Sequence, residues 1–170
     1  MILQNKIKFI LVFIILIVAS YCVFKIWKTL QNRDYLNKSI QQLPSITFQK
    51  LNRNFFQLDS LKDNKQLLIL NYFSPGCDHC QNMVKEMLHE QNRIKNVRWL
   101  MITSEKIETI KPFVDCMHLD KLSTVTILSD TSFKFAKRYG IVSIPSFFVY
   151  HKGQLIRKHS GECSVKYLVP

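Results

Sequence analysis

Gln66-Leu67-Leu68-Ile69-Leu70-Asn71-Tyr72-Phe73-Ser74-Pro75-Gly76-Cys77-Asp78-His79-Cys80 is the stretch on which the reading of this 170-residue chain turns. Residues 66–73 are apolar but for Gln66 and Asn71, and read as a strand buried on both faces. Ser74-Pro75-Gly76 breaks the run. Beyond it, Met83, Val84, Met87, Leu88, Gln91 and Ile94 recur at helical spacing, so residues 81–94 predict a helix. The C-x-x-C pair Cys77/Cys80 therefore stands at a strand-to-helix turn. There the unpaired N–H groups and the positive end of the helix dipole favour a thiolate.

A thiolate is the attacking species in disulfide exchange, so a paired thiol at a helix start predicts dithiol chemistry. Cys77, nearer the turn, is expected to attack, and Cys80, one turn into the helix, to resolve the mixed disulfide. His79, if protonated, adds a cation beside Cys77, and Asp78 opposes it. The competing readings are a zinc half-site and two unrelated buried thiols. Zinc requires about four ligands, and no second C-x-x-C or H-x-x-x-H lies nearby.

The remaining chain alternates. Ile46–Phe48 and Phe55–Leu58 flank Asn52-Arg53-Asn54 and predict a hairpin, followed by a surface loop over residues 59–65. Residues 97–102 and 124–128 predict strands. Residues 105–118 predict a helix that Pro112 must kink or restart, and residues 131–139 another. Two strands, 146–150 and 154–157, are joined at Lys152-Gly153, and 162–168 leave room for one or two helical turns. Strands alternating with helices and closed by a hairpin imply an α/β domain around a mixed sheet. Ser143-Ile144-Pro145-Ser146 precedes the first of those last strands. A cis Ile144–Pro145 bond would present the main chain of Ile144 to an extended peptide, whereas a trans proline would simply begin a strand.

Upstream, Phe9–Phe24 is uncharged and apolar, about 24 Å long as a helix. That is a little short of a bilayer core, but Ile7, Ile26 and Trp27 extend it and Lys6, Lys8, Lys25 and Lys28 can snorkel. Residues 1–28 are therefore expected to be an uncleaved membrane anchor contacting lipid through residues 7–28. A cleaved signal peptide is the rival reading, weakened by the poor small-residue pattern before residue 21. Residues 29–43 are expected to be a juxtamembrane helix or spacer and 44–170 the folded domain. The formal charge of +12 is spread along the chain. With an apolar N-terminal segment, it argues for a solvated basic surface rather than nucleic acid. Lysines on both sides of the apolar segment leave orientation open; the cysteine pair places the domain outside the cytoplasm, where disulfides are managed.

Residues 66–80, residues 139–149 (Tyr-Gly-Ile-Val-Ser-Ile-Pro-Ser-Phe-Phe-Val) and the Lys152-Gly153 turn together resemble the thioredoxin fold. More narrowly, they resemble the membrane-tethered TlpA/ResA-like thiol–disulfide oxidoreductases. The N-terminal hairpin and an extra strand–helix unit at about residues 97–128 favour that branch. The resemblance implies a cis Pro145 facing Cys77, Asn71 beneath the active site, and no organic cofactor. It implies exported protein thiols as substrates, an upstream membrane thiol donor, and a periplasmic, single-pass placement in the inner membrane. Catalytic roles are thus expected for Cys77, Cys80, Pro145 and His79, and a reductive role as in cytochrome c maturation. Three departures stand out. Gly76 replaces the family's usual tryptophan, Asp78-His79 replaces a proline-containing dipeptide, and Asn71 stands where thioredoxin has a buried acid that accepts a proton. A copper-binding module using Cys77, Cys80 and a histidine is one alternative. A thiol peroxidase is the other, with Ser74 three residues before the cysteine but Leu70 where a proline is expected. Cys116 and Cys163 read as spare thiols, Cys22 as an apolar membrane residue, and His89, His118, His151 and His159 as surface or capping residues.

Overall fold

The structure, a computed structural model, describes residues 2–169, with side chains from residue 13 onward. Two compact units divide at Lys38/Ser39. The first is a single helix, α1 (Ile2–Ser39). From Phe13 to Leu30 its large apolar side chains are exposed, and Phe13–Ser39 is long and apolar enough to cross a membrane. Lys6, Lys8 and the start of the apolar run at Phe9 lie outside the residues whose side chains are described. Residues 29–39 continue α1 without a break, so that part of the expected spacer is helix.

The second unit is built on a seven-stranded sheet in the order β2-β1-β5-β4-β3-β6-β7. β1 (Thr47–Lys50) and β2 (Phe55–Gln57) form the expected hairpin. Its turn is closed by Lys50 N–H on Asn54 O, with Arg53 in the left-handed region at φ 67°. β3 (Leu67–Tyr72) lies parallel to β4 (Val97–Thr103), which lies parallel to β5 (Val125–Ser129). β6 (Ser146–His151) runs antiparallel to β3 and pairs with β7 (Gln154–Ser160). A mixed sheet with helices on both faces is the architecture expected from the alternating pattern, and the hairpin and the β4–β5 unit stand where they were predicted.

Strand alternation sends successive side chains to opposite faces and so makes two cores. Ile69, Trp99, Met101 and Phe147 pack against α2 (Asp78–His89), α3 (Gln91–Ile94), α4 (Ile107–Cys116) and α6 (Val165–Leu168). Leu68, Leu70, Leu100 and Phe148 pack on the other face against α5 (Lys134–Tyr139) and residues 40–58.

Several boundaries differ from the sequence reading, each for a local reason. The helix expected over 81–94 begins at Asp78, because Cys77 is extended (φ −96°, ψ 117°) and serves as its N-cap, and it is interrupted at Glu90. Gln91, counted on its apolar face, is exposed. α4 passes through Pro112 as one helix, with no restart. α5 begins only at Lys134, because Phe133 is left-handed (φ 56°) and buried Asp130 accepts the N–H groups of Lys134 and Phe135. The surface loop after β2 opens with a 3-10 turn, Leu58–Leu61, whose Leu58 is buried in the core. Residues 40–43, assigned by sequence to the spacer, belong to the domain. Ile40 and Leu43 are buried, Ile40 O accepts from Tyr150 Oη, and Leu43 N–H donates to Gly153 O.

Candidate active site

The turn between β3 and α2 places the cysteine pair. Cys77 N–H donates to Ser74 O at 3.2 Å, closing Ser74-Pro75-Gly76-Cys77 as a tight turn, and Gln81 Nε2 holds Pro75 O at 2.9 Å. A Cβ at Gly76, where the resemblance expects a tryptophan, would meet nothing within 4 Å apart from its chain neighbours.

The two sulfurs sit in unlike surroundings. Cys77 is half-buried, whereas Cys80 is 2% exposed in the core beneath α2. Burial pushes the Cys80 thiol up to about 12, reinforced by its hydrogen bond and proximity to Cys77 and opposed by a Ser74 main-chain hydrogen bond. All five cysteines are free thiols; Cys116 is exposed, and Cys163 is half-buried and pushed up to about 11, mainly by burial.

Asn71 lies on the α2 face of β3, with Met101 and Phe147 as its cross-strand neighbours. It is buried, and its Nδ2 has no partner among the described residues. A carboxamide has no basic site for a thiol proton, so this position can donate a hydrogen bond but not act as a base. The Ile144–Pro145 peptide is cis, and Ser146 Oγ ties the loop by donating to Ser143 O at 2.6 Å.

His79 is held by a residue that the sequence reading missed. Its Nδ1 lies 2.6 Å from Glu162 Oε2, in the loop after β7. No local pattern flags Glu162, which is 83 positions from its partner. His89 and His151 are exposed, His118 is the left-handed residue after α4, and the His159 ring lies tilted to Phe147 and edge-on to Tyr167. Among the described residues, no three His, Cys, Asp or Glu side chains converge on a point that could hold a metal ion.

The AhpC/TSA family profile matches residues 40–159. No curated protein matches the chain by sequence. Many solved structures share its fold, three of which illustrate the range. A secreted Mycobacterium tuberculosis disulfide oxidoreductase is 18% identical, with a TM-score of 0.60 over 78% of this chain and 94% of that one. StoA from Bacillus subtilis is 17% identical, with a TM-score of 0.57 over 75% and 96%. A thiol:disulfide interchange protein of the thioredoxin family from Chlorobium tepidum is 19% identical, with a TM-score of 0.60 over 76% and 97%. The fold is accordingly thioredoxin-like.

Proposed function

The chain belongs to the AhpC/TSA family, and from that premise we propose that it is a thiol–disulfide oxidoreductase whose working couple is Cys77/Cys80. The observation that carries this reading is the asymmetry of the pair: a half-buried cysteine at a helix N-cap, and a fully buried thiol one turn along that is pushed up to about 12.

In the reductive direction, the Cys77 thiolate attacks one sulfur of a client disulfide R–S–S–R′, forming a mixed disulfide and expelling R′S⁻. Cys80 then loses its proton to water, because Asn71 cannot take it, and attacks Cys77 Sγ to release RS⁻. Two electrons have moved from the dithiol to the client, and Cys77–Cys80 is left oxidised. An upstream dithiol restores it, with no organic cofactor involved. The loop at Ile144–Pro145 offers its main chain to the extended client. His79 contributes to the field at Cys77.

The same proposal takes α1 as a single-pass anchor that places the domain on the extracytoplasmic side, as in the TlpA/ResA-like branch, with exported proteins as clients. The apolar side chains exposed along α1 support the anchor.

The test is to equilibrate the full-length chain in detergent with glutathione buffers and quantify the Cys77–Cys80 bond by mass spectrometry. A potential near about −270 mV supports a reductase, and one near about −120 mV makes the chain a disulfide donor. Failure to form the bond reversibly refutes the reading, and peroxide consumption without disulfide exchange would make it a peroxidase instead.

A further inference from the structure

The segment from Ser160 to Val165 is tied to both halves of the candidate site. Ser160 pairs with Ser146 at the start of β6, and Gly161 N–H donates to Pro145 O at 2.8 Å. Glu162 Oε2 meets His79 Nδ1 at 2.6 Å, and Val165 N–H donates to Glu86 Oε1 at 2.9 Å, two turns further along α2. His159 Nε2 also reaches Glu162 O at 3.4 Å. Glu162 is thus held by its neighbours in the chain before it touches His79.

The His79–Glu162 contact has a definite chemistry. A carboxylate only accepts, so Nδ1 carries the proton, and the short separation is that of a charge-assisted bond. Side-chain exposures of 69% and 46% mean that such a pair adds little to stability. Its position matters more, because His79 is two residues from Cys77. No hydrogen bond joins the imidazole to the Cys77 sulfur. Arg157 on β7 is engaged with Tyr167: it donates to Tyr167 O and lies 4.7 Å over the Tyr167 ring. An imidazolium alone at this place would stabilise the Cys77 thiolate, whereas one paired to a carboxylate has its charge cancelled.

We propose that Glu162 is a positioning residue of the dithiol site: by holding and neutralising His79, it keeps the Cys77/Cys80 couple more reducing than the histidine alone would leave it. The inference rests on the thiol–disulfide reading above. The exchange concerned is Cys77–S–S–Cys80 plus two glutathione thiols going to the dithiol plus glutathione disulfide. Stabilising the Cys77 thiolate pulls it to the right.

The test measures that equilibrium constant at pH 6, where a free imidazole is mostly protonated, in the full-length chain in detergent. Glu162→Gln is expected to raise the constant about tenfold, a shift of about 30 mV toward the oxidising side for a two-electron couple. His79→Asn removes the imidazole that Glu162 neutralises, and because Glu162 is solvent-exposed and acts through His79, the constant is expected to stay within threefold of the parent. The double variant is expected to stay within threefold of His79→Asn. A Glu162→Gln effect below threefold, or the same effect in the His79→Asn background, overturns the proposal. A parent chain that forms no reversible Cys77–Cys80 bond refutes the thiol–disulfide reading itself, and this inference with it. Glu162 is exposed, so the Gln variant is expected to keep its circular dichroism spectrum, and a merely structural role would not move the potential.

Discussion

Treating the fully reduced chain with iodoacetamide at pH 7 puts the unequal roles of the cysteines to a direct test. Cys80, pushed up to about 12, is a thiolate in only about one molecule in 100,000 at that pH. An ordinary cysteine, with a pKa of about 8.5, is ionised in about 3 of 100 molecules. The ratio is roughly 3,000-fold on ionisation alone, and the 2% exposure of Cys80 adds a steric barrier. Cys163, half-buried and pushed up to about 11, provides an internal reference between the extremes. Site-resolved mass spectrometry is therefore expected to show Cys77 modified early, Cys163 far more slowly, and Cys80 essentially unmodified. Raising the pH to 10 should speed Cys80 labelling about 1,000-fold, because its thiolate fraction grows tenfold per pH unit below its pKa. Labelling of Cys80 within tenfold of the Cys77 rate at pH 7 would refute the assignment of attacking and resolving sulfurs.

Cys80→Ser leaves the attacking sulfur without its resolver, so full-length chain incubated with a disulfide-bonded client is expected to accumulate a Cys77 mixed disulfide on non-reducing gels; free turnover would contradict the mechanism. Phe135→Ala removes a fully buried ring that touches Tyr139 at 4.0 Å, Tyr72 at 5.8 Å, Phe48 at 5.9 Å and Phe148 at 6.1 Å. It should cost about 3–5 kcal/mol in denaturant unfolding, with the dithiol potential unchanged because α5 packs on the face opposite α2. Burial raises the Asp130 carboxyl above its ordinary value of 3.8, so the native state keeps that proton longer than the unfolded chain does. Its contribution to stability is full below that value and is lost as pH rises through the raised one. Parent stability measured relative to Asp130→Asn should thus fall as the pH rises above 3.8, and a rise would contradict the burial argument. Exposed Cys116 should react with a membrane-impermeant maleimide in intact cells if the domain is extracytoplasmic, and protection until lysis would reverse the proposed orientation.

What could be read from sequence was what short-range pattern encodes. The apolar run ending at Phe73, the turn before Cys77 and the hairpin around Asn52–Asn54 depend on neighbours within a few residues, and each is found where expected. The 3.6-residue spacing placed Met83, Val84, Met87 and Ile94 on a buried face, but it could not show that Cys77 would cap the helix and start it at Asp78. The domain start was misplaced because Ile40 is held by Tyr150, 110 residues away, and nothing in residues 29–43 announces that partner. Glu162 escaped for the same reason. A lone acid near a chain end acquires meaning only when the turn after β7 brings it to the helix that carries the cysteines.

The pairing of residues 41–43 with the sheet has a consequence for solubility. Leu43 N–H bonds Gly153 O, Leu155 N–H bonds Gln41 O, and Gln42 bridges to Gln154. This segment caps the beginning of β7, which would otherwise present open main-chain groups along an outer edge of the sheet. The register shift at Val149/Tyr150 and the charges of Arg157 and Lys158 disturb the rest of that edge. The opposite border, β2, is only three residues long. Both borders are thus poor templates for strand addition, and many copies crowded on one surface would resist edge-to-edge aggregation even while each presents a half-buried attacking thiol.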